Sequence, residues 1–200
     1  MMRIVQIGSN KGNDDLSEYL KYNVSDLTFG LFVEPNSFCI SDLKNCYSNY
    51  NNVFIENVAI KTPFQDEQEL EIFYNTYDHS MEISSCKLSH VQTHTYWCPE
   101  IKDGEIKSFK VPCLTLENLL DKYKIKHLDW LLLDIEGIDA EVLLSFNWEK
   151  YSIKKIEFEH LHLGNYAYNI RCMLKGMGYE QVKSLNNNDW SFENKSIFEQ

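Results

Sequence analysis

Five apolar stretches of this sequence are each followed directly by glycine or by polar residues. The five such ends are Gly8 with Gly12, Glu34, Asn57, Asp134 with Glu136, and Glu159 with His160. In a doubly wound sheet, ligands bind beyond the carboxyl ends of the strands. A single acid there is usually a helix cap or a solvated loop residue, but five coincident ends favour a binding site with ionisable groups.

The first of these ends combines three features. An apolar strand at 3–7 runs into a turn with glycines at positions 8 and 12, and a polar segment that favours a helix follows up to residue 22. A strand, a glycine turn and a helix bring the backbone of an α/β protein close to a nucleotide-like ligand. The glycines are four residues apart, so the turn does not follow the Gly-x-Gly-x-x-Gly pattern.

Nearby charges indicate which nucleotide-like ligand this is. Glu34 ends the second strand, where an acid accepts hydrogen bonds from both hydroxyls of a ribose. A dinucleotide would put its pyrophosphate at the start of the first helix, beside Asp14 and Asp15, with only Lys11 to offset them. S-adenosylmethionine has no phosphate, and its ammonium and sulfonium suit acidic surroundings. The charges therefore favour S-adenosylmethionine over a nicotinamide dinucleotide.

Strands and helices alternate along much of the chain, which predicts a parallel sheet with crossover helices. The first predicted strands are 3–7, 31–33 and 53–58, separated by helices at 14–22 and 37–47. Residues 129–133 form a continuous apolar strand, typical of the buried centre of such a sheet. We predict a final strand pair at 179–183 and 190–198, with the asparagines at 186–188 as the turn.

Residues 61–113 interrupt this alternation. Short strands are predicted at 70–74 and 108–113, but residues 76–104 are polar and aromatic with little periodicity. A long irregular segment inside a compact domain is more often a functional loop or lid than filler. We therefore predict one domain over residues 1–200, in which 61–113 is an insertion or lid that contributes to the substrate pocket.

Composition excludes several classes of protein. The formal net charge of −11 argues against generic binding to the phosphate backbone of nucleic acids. The longest apolar run, at 130–133, is far too short to span a bilayer. The six cysteines include no Cys-x-x-Cys pair and no signal peptide is found, so we predict a cytoplasmic protein with reduced thiols.

Together these stretches resemble FkbM-type methyltransferases. The resemblance rests on residues 5–12, 33–36, 56–60, 84–85, 111–116 and 132–137 with Glu141, and it covers roughly residues 3–160. The Asp-x-Glu-Gly run at 134–137, with Thr115 and Leu116 upstream, is its most specific part. The resemblance implies a class I methyltransferase Rossmann-like fold, an α/β fold whose seven-stranded sheet is mostly parallel. Helices would cover both faces, and the C-terminal strand would be antiparallel.

The resemblance also implies methyl transfer from S-adenosylmethionine, mostly to hydroxyl oxygens of sugars or polyketides. The residues expected to bind the cofactor are Gln6, Gly8, Asn10, Gly12, Glu34, Pro35, Asn36, Asn57, Ala59 and Asp134. The glycine turn would hold the methionine part, Glu34 the ribose, and Asn57 and Ala59 the adenine, while Asp134 would lie near the sulfur. Where the family usually has an acid, this chain has Gln6, which hydrogen-bonds an ammonium without pairing with its charge.

Methyl transfer to a hydroxyl is assisted by a base that removes the hydroxyl proton. Asp134 and His160 are the leading candidates, with Glu159 as a further acid at the same edge. Glu136 is expected to orient the acceptor or to cap the helix that follows.

Ser84, Ser85 and His90, in the irregular segment, are the residues that we expect to face the acceptor, although such imidazoles are more often ordinary polar residues. No spacing in the sequence is a metal signature, so we predict no metal.

The sequence thus predicts an S-adenosylmethionine-dependent O-methyltransferase that acts on a hydroxyl of a sugar, glycan or small metabolite. We expect a monomer or homodimer without nucleic-acid or membrane partners. Two alternatives stay open. A non-catalytic S-adenosylmethionine-binding domain is compatible with Gln6. An NAD-dependent oxidoreductase would need a Tyr-x-x-x-Lys pair along a helix, and that spacing from Tyr151 to Lys155 enters a predicted strand.

Overall fold

The computed structural model of the protein describes residues 2–23, 27–161 and 163–197. Its strands are β1 (Met2–Ile7), β2 (Leu27–Val33), β3 (Val53–Glu56), β4 (Ala59–Lys61), β5 (Glu69–Asn75), β6 (Ile106–Thr115), β7 (His127–Leu133), β8 (Ser152–Glu159), β9 (Glu180–Val182) and β10 (Asp189–Glu193). Its helices are α1 (Asp15–Tyr22), α2 (Ile40–Cys46), α3 (Leu88–Trp97), α4 (Leu116–Lys122), α5 (Asp139–Ser145) and α6 (Asn165–Gly176). Within the described ranges, no helix is both long enough and apolar enough to cross a bilayer.

The main sheet has seven strands in the order β3-β2-β1-β7-β8-β10-β9. The first five of these pair in parallel, and β10 pairs antiparallel with both β8 and β9. The predicted sheet with an antiparallel C-terminal strand is therefore confirmed. β10 ends at Glu193, and the predicted end of that strand at Phe198 lies outside the described residues. The strand order reverses between β1 and β7, where sheets of this kind bind ligands.

Helices cover both faces of this sheet, because alternate residues of each buried strand point to opposite sides. On one side, Ile4, Trp130 and Leu132 pack in one cluster with Leu16 of α1 and Leu43 of α2. The intervening residues of β1 and β7 pack on the other side with α4, α5 and α6. This double cover explains the continuous apolar run of β7 and holds the ends of β1 and β7 side by side.

A second sheet has three strands in the order β4-β6-β5. The single strand predicted over 53–58 is wrong, because β3 ends at Glu56 and the chain enters the second sheet at Ala59. Asn57 stabilises the break: its Nδ2 donates to the carbonyls of Glu34 and Pro35 at 2.8 and 2.9 Å. The chain therefore leaves the main sheet at the same edge as the predicted site.

The prediction that residues 76–104 lack regular structure is wrong in the middle of the segment, where α3 forms. The apolar residues of α3 do not recur at helical spacing: Val91 is buried, whereas Tyr96 and Trp97 are exposed. Hydrophobic periodicity is the main sequence signal for a helix, so a helix with a single buried position escapes it. α3 packs against β5 of the second sheet.

Candidate active site

A cavity of about 320 Å³, which we call the first cavity, lies at the carboxyl ends of β1, β2 and β7. Residues of β4, β5 and the segment 81–86 complete its lining. Its size falls within the range of small-molecule sites. The predicted cofactor residues that line it are Gly8, Asn10, Glu34, Pro35, Ala59 and Asp134.

The turn after β1 approaches the end of β7 too closely for a side chain. Gly8 has a φ of +82°, and a Cβ built on it would lie 1.7 Å from the carbonyl oxygen of Asp134. The N–H groups of Gly8 and Ser9 both donate to the Val33 carbonyl, at 2.9 and 3.0 Å. Both space and backbone conformation therefore require glycine at position 8.

Glu34 is buried at the end of β2, with 6% of its surface exposed. Its Oε2 accepts the N–H of Asn10 at 2.8 Å, and its Oε1 accepts the N–H of Asn36 at 2.7 Å. Burial raises the pKa of Glu34 to about 7, against the effect of these two donors. Each carboxylate oxygen has a second lone pair. Glu34 thus holds the glycine turn and can still accept hydrogen bonds from a ligand in the first cavity.

Besides Gln6, three predicted cofactor residues do not line the first cavity. Gly12 has a φ of +76°, and a Cβ there would lie 3.0 Å from a side-chain atom of Leu43 in α2. Asn36 is fully buried, and its Oδ1 accepts the N–H of Phe38 at 3.0 Å. Asn57 holds the end of β2, as described above. Direct contact of these three residues with the cofactor stays a prediction.

Three carboxylates converge after β7 and β8. An oxygen from each of Asp134, Glu136 and Glu159 lies within 4.8 Å of the others. Burial, followed by repulsion from neighbouring acids, raises the pKa of Asp134 well above its ordinary value. The same two causes raise the pKa of Glu136 and of Glu159 to about 8. Asp134 lies deep in the molecule, but its side chain is open to the cavity, so solvent there screens part of the repulsion.

Glu136 also has an uncommon backbone conformation. Its φ is +52°, in the left-handed region that residues other than glycine rarely adopt. Asn10 and Met81 share this property, with φ of +43° and +63°, and all three residues line the first cavity. Backbone strain of this kind is concentrated at functional sites. The three uncommon backbone conformations and the converging acids therefore lie at the same cavity.

A second cavity, of about 490 Å³, shares five lining residues with the first: Gly8, Asn10, Glu82, Asp134 and Asn188. Gln6 and Asp14 belong to the second cavity alone. The Nε2 of Gln6 donates to Oδ2 of Asp14 at 2.6 Å. The Oε1 of Gln6 is buried and has no hydrogen-bond partner among the described residues. A ligand with an N–H group in this cavity would satisfy it.

Asp14 is a candidate cofactor residue that sequence analysis missed. It is the N-cap of α1 and accepts the N–H of Ser17 at 2.8 Å, which is enough to explain an acid at this position. Its contact with Gln6 brings a carboxylate next to the position where the resembling family has its own acid. Burial raises the pKa of Asp14. From the sequence, Asp14 was expected as part of the acidic surroundings of the glycine turn, and not as a partner of Gln6.

The segment before α3 is tied to the loop between β7 and α5. The Ser85 hydroxyl donates to the Glu136 carbonyl at 2.6 Å, and Lys87 Nζ donates to the Gly137 carbonyl at 2.6 Å. His90 Nε2 lies 2.7 Å from Oε2 of Glu136. Ser84 lines the first cavity, with its hydroxyl 3.4 Å from the Met81 carbonyl. Whether Ser84, Ser85 and His90 contact the acceptor stays a prediction.

His160 follows β8 but is not among the residues that line the two cavities. Its ring stacks on Trp190, with centroids 4.7 Å apart, and its Nδ1 contacts the Asn188 carbonyl. Glu159, the residue before it, does line the first cavity. Successive residues of a strand point to opposite faces, so only one of this pair can face the site at a time. The role of His160 as a base stays a prediction.

Among the solved structures that resemble the protein are a methyltransferase and two fibrillarin structures. Methyltransferase FkbM from Methylobacillus flagellatus KT aligns with 96% of this chain and 43% of its own, at a TM-score of 0.53 and 13% identity. A fibrillarin/Nop5p complex aligns with 96% of this chain and 70% of that one, at a TM-score of 0.47 and 12% identity. Aeropyrum pernix fibrillarin with natively bound S-adenosyl-L-methionine aligns with 96% of this chain and 65% of that one, at 0.42 and 11%.

The Methylobacillus structure supports the fold, and this chain spans less than half of that protein's length. A search of curated protein sequences gives no significant match.

A family model, the methyltransferase FkbM domain, matches residues 6–180. The match contains the glycine turn, Glu34 and the three converging acids. It excludes the NAD-dependent oxidoreductase, whose possible Tyr151–Lys155 pair here lies where β8 begins and not along a helix. The chain therefore belongs to the FkbM methyltransferase domain family.

Proposed function

We propose that this enzyme methylates a hydroxyl oxygen of a sugar, a glycan or another small metabolite. The charge of the first cavity carries this proposal: the described residues that line it include five carboxylates and no lysine or arginine. The five are Glu34, Glu82, Asp134, Glu136 and Glu159. Such a cavity disfavours a polyanionic acceptor such as a nucleic acid. It fits a cationic cofactor, and it supplies bases for a neutral hydroxyl.

The two cavities suit the two ends of the cofactor, which supplies a methyl group on a positively charged sulfur. In this proposal Glu34 binds the ribose and Ala59 lies beside the adenine, both in the first cavity. In the second cavity, Gln6 accepts a hydrogen bond from the ammonium, and Asp14 offsets its charge. The unpartnered Oε1 of Gln6 supports this placement, because a buried acceptor without a donor costs about 1–3 kcal/mol. Asp134 lines both cavities and is the residue proposed to lie beside the sulfur.

The converging acids are proposed to take the proton of the acceptor. A base works best when its pKa is near the working pH, and Glu136 and Glu159 have pKa values of about 8. Asp134, with its raised pKa, has the better position because it lies where the cavities meet. His160 is less suited to this role because its ring stacks on Trp190.

Residues 61–113 are proposed to form the acceptor side of the pocket. Leu70 and Ile72 of β5 and the segment 81–86 line the first cavity. The predicted cytoplasmic location and the predicted monomeric or homodimeric state remain predictions.

Methyl transfer from labelled S-adenosylmethionine to a panel of acceptors tests the proposal. The panel contains sugars and oligosaccharides with free hydroxyls, phenols, RNA and peptides. We expect label on a hydroxyl compound. Asp134→Asn should lower kcat at least about 100-fold, as expected for loss of a general base, and should change the Kd of the cofactor less than about threefold. Glu180→Gln, at an exposed acid of β9, is the matched control.

Transfer to RNA or peptide alone would contradict the proposal, and so would full activity of Asp134→Asn. Cofactor binding without transfer to any member of the panel would favour the non-catalytic alternative.

A further inference from the structure

We propose that His90, His94 and Glu136 bind one divalent transition-metal ion, with Zn²⁺ as the first candidate, at the edge of the first cavity. One ligand atom from each residue lies within 4.8 Å of the other two. From the sequence we predicted no metal, because no spacing was recognised as a metal signature. Because 88–97 is a helix, the two imidazoles lie one turn apart on the same face.

The distances suit one shared ion. His90 Nε2 lies 2.7 Å from Oε2 of Glu136, and the His90 and His94 ring centroids are 4.5 Å apart. Ligands of a tetrahedral ion, at about 2.1 Å from the metal, lie about 3.4 Å from one another. The Nε2–Oε2 separation is shorter than this value, and all three ligand atoms lie within 4.8 Å of one another. Small side-chain rotations would therefore bring all three ligand atoms onto one ion.

The backbone around Glu136 holds the two sides of this site together. The Glu136 carbonyl accepts the Ser85 hydroxyl at 2.6 Å, which joins the segment before α3 to the β7–α5 loop. Gly137, with a φ of +101°, leaves room for the His90 ring, since a Cβ there would lie 3.2 Å from its Nδ1. Lys87 Nζ donates to the Gly137 carbonyl at 2.6 Å. The three ligands therefore come from two elements whose relative position is already set by direct hydrogen bonds.

The ligand chemistry decides the class of metal. Two imidazoles and one carboxylate are the ligand set of many zinc and non-haem iron sites, whereas Mg²⁺ prefers oxygen alone. His94 and Glu136 line the first cavity, so the remaining coordination position would face it. Catalytic metal sites keep such an open position for water or substrate.

A nearby group of three carboxylates shares one of these ligands. Glu136 also belongs to the group formed with Asp134 and Glu159. That group would favour Mg²⁺ or Mn²⁺, so the identity of the ion and its dependence on His94 distinguish the two arrangements.

An ion with an open position would hold the acceptor hydroxyl at the cavity and make its proton easier to remove. This role rests on the proposed function, but the binding of the metal does not. The ion would also fix α3 to the β7–α5 loop, because the ligands come from both.

Metal binding is measured on the full chain, treated with EDTA and free of cofactor. Calorimetric titration with Zn²⁺ should show one binding site per chain. Bound Co²⁺ should give an absorption band in the visible range that is typical of a low-symmetry coordination site. His94→Ala should weaken Zn²⁺ binding at least tenfold and abolish the Co²⁺ band. His79→Ala, at an exposed imidazole of the same segment, is the matched control and should leave both unchanged.

Three results would overturn the proposal. The first is no Zn²⁺ or Co²⁺ binding by the wild-type chain, and the second is unchanged Zn²⁺ binding by His94→Ala. The third is binding of Mg²⁺ alone that survives His94→Ala and is lost in Glu159→Gln, which assigns the ion to the carboxylates. Cofactor affinity, measured separately on the same variants, reports on the proposed function and is independent of these outcomes.

Discussion

The first cavity has two walls that differ in chemistry. The strand-end wall, formed where β1, β2, β7 and β8 end, holds four of the lining carboxylates: Glu34, Asp134, Glu136 and Glu159. The second-sheet wall, formed by β4, β5 and the segment 81–86, is mainly apolar, with Ile60, Leu70 and Ile72 among its residues. The strand-end wall therefore carries most of the ionisable groups of the cavity, whereas the second-sheet wall, apart from Glu82, offers a mainly apolar surface.

This division has a structural origin. The strand-end wall lies where the central strands of the main sheet stop, so backbone groups and acids meet a ligand directly. The second sheet has a small apolar core of its own, which includes Ala59, Val111 and Cys113. Substitutions in the first wall should change stability, pH dependence and cofactor affinity. Substitutions in the second wall should mainly change the choice of acceptor.

The largest effect is expected where the strand-end wall is most tightly packed. Gly8→Ala puts a Cβ 1.7 Å from the Asp134 carbonyl oxygen and imposes a φ of +82° on alanine. We expect a loss of about 3 kcal/mol or more in the free energy of unfolding, measured by urea denaturation. Gly176→Ala, at the end of α6 with no atom within 4 Å of the new Cβ, is the control. It should be neutral or stabilising by up to about 1 kcal/mol, and equal losses in the two variants would disprove the close approach at Gly8.

The second-largest effect is expected at Glu34, whose carboxylate holds the glycine turn and is proposed to bind the ligand. Glu34→Ala removes the acceptor of the Asn10 and Asn36 N–H groups and the proposed ribose contact. Charge-assisted hydrogen bonds are worth about 1.5–3 kcal/mol, so the Kd of S-adenosylmethionine should rise about 10- to 100-fold by calorimetry. Glu56→Ala, at the end of the neighbouring strand β3, is the control, because its carboxylate contacts Tyr123 and Lys122. A Kd that is unchanged in Glu34→Ala would remove this residue from the cofactor site.

The third effect tests how burial, and then repulsion between neighbouring acids, raises the pKa of Glu159 in the strand-end wall. Because the pKa of Glu159 rises from 4.5 to about 8 on folding, the folded state binds protons that the unfolded state releases. The free energy of unfolding should therefore fall as the pH rises from about 4.5 to about 8. Glu159→Gln should reduce this fall by about 1–2 kcal/mol, less than full burial would give, because solvent reaches the cavity.

Urea denaturation of the cofactor-free protein in EDTA, at several pH values between 5 and 9, measures this fall. Glu180→Gln is the control at an exposed acid, and it should follow the wild type. A Glu159→Gln curve parallel to the wild-type curve would show that neither burial nor repulsion raises the pKa of Glu159 in the folded protein.

The smallest effect separates the two serines of the second-sheet wall. The Ser85 hydroxyl donates to the Glu136 carbonyl and accepts the N–H of Lys87 at 3.0 Å. Ser85→Ala should therefore cost about 1 kcal/mol of stability and change KM for the acceptor little. Ser84→Ala, whose hydroxyl makes only a 3.4 Å contact with Met81, should leave stability unchanged. If Ser84 faces the acceptor, Ser84→Ala should raise the KM for the acceptor and Ser85→Ala should not. A KM that is raised in Ser85→Ala alone would assign this role to Ser85.

The two walls also differ in how well the sequence predicts them. Gly8 and Glu34 were predicted as site residues because each follows an apolar strand, and the strand is recognised from its own residues. Ser85 was predicted to face the acceptor, which stays a prediction, and the hydrogen bond of its hydroxyl to a carbonyl 51 residues away was not expected. Asp14 was expected as an acid near the start of the first helix, and its contact with Gln6 was missed. In each case the missing information was a contact between two different segments, which the residue pattern within one segment does not reveal.

By itself, the sequence determined the strands of the main sheet, their parallel order, the glycine turn and the acids at the strand ends. These depend on local periodicity, on the conformational freedom of glycine and on the rule that parallel strands end at one edge. Only the tertiary structure decided that α3 is a helix, that Gln6 has an acid beside it, and that His90 and His94 meet Glu136. A helix with one buried residue has little hydrophobic pattern of its own. Its position follows from packing against β5 and from hydrogen bonds to a distant loop.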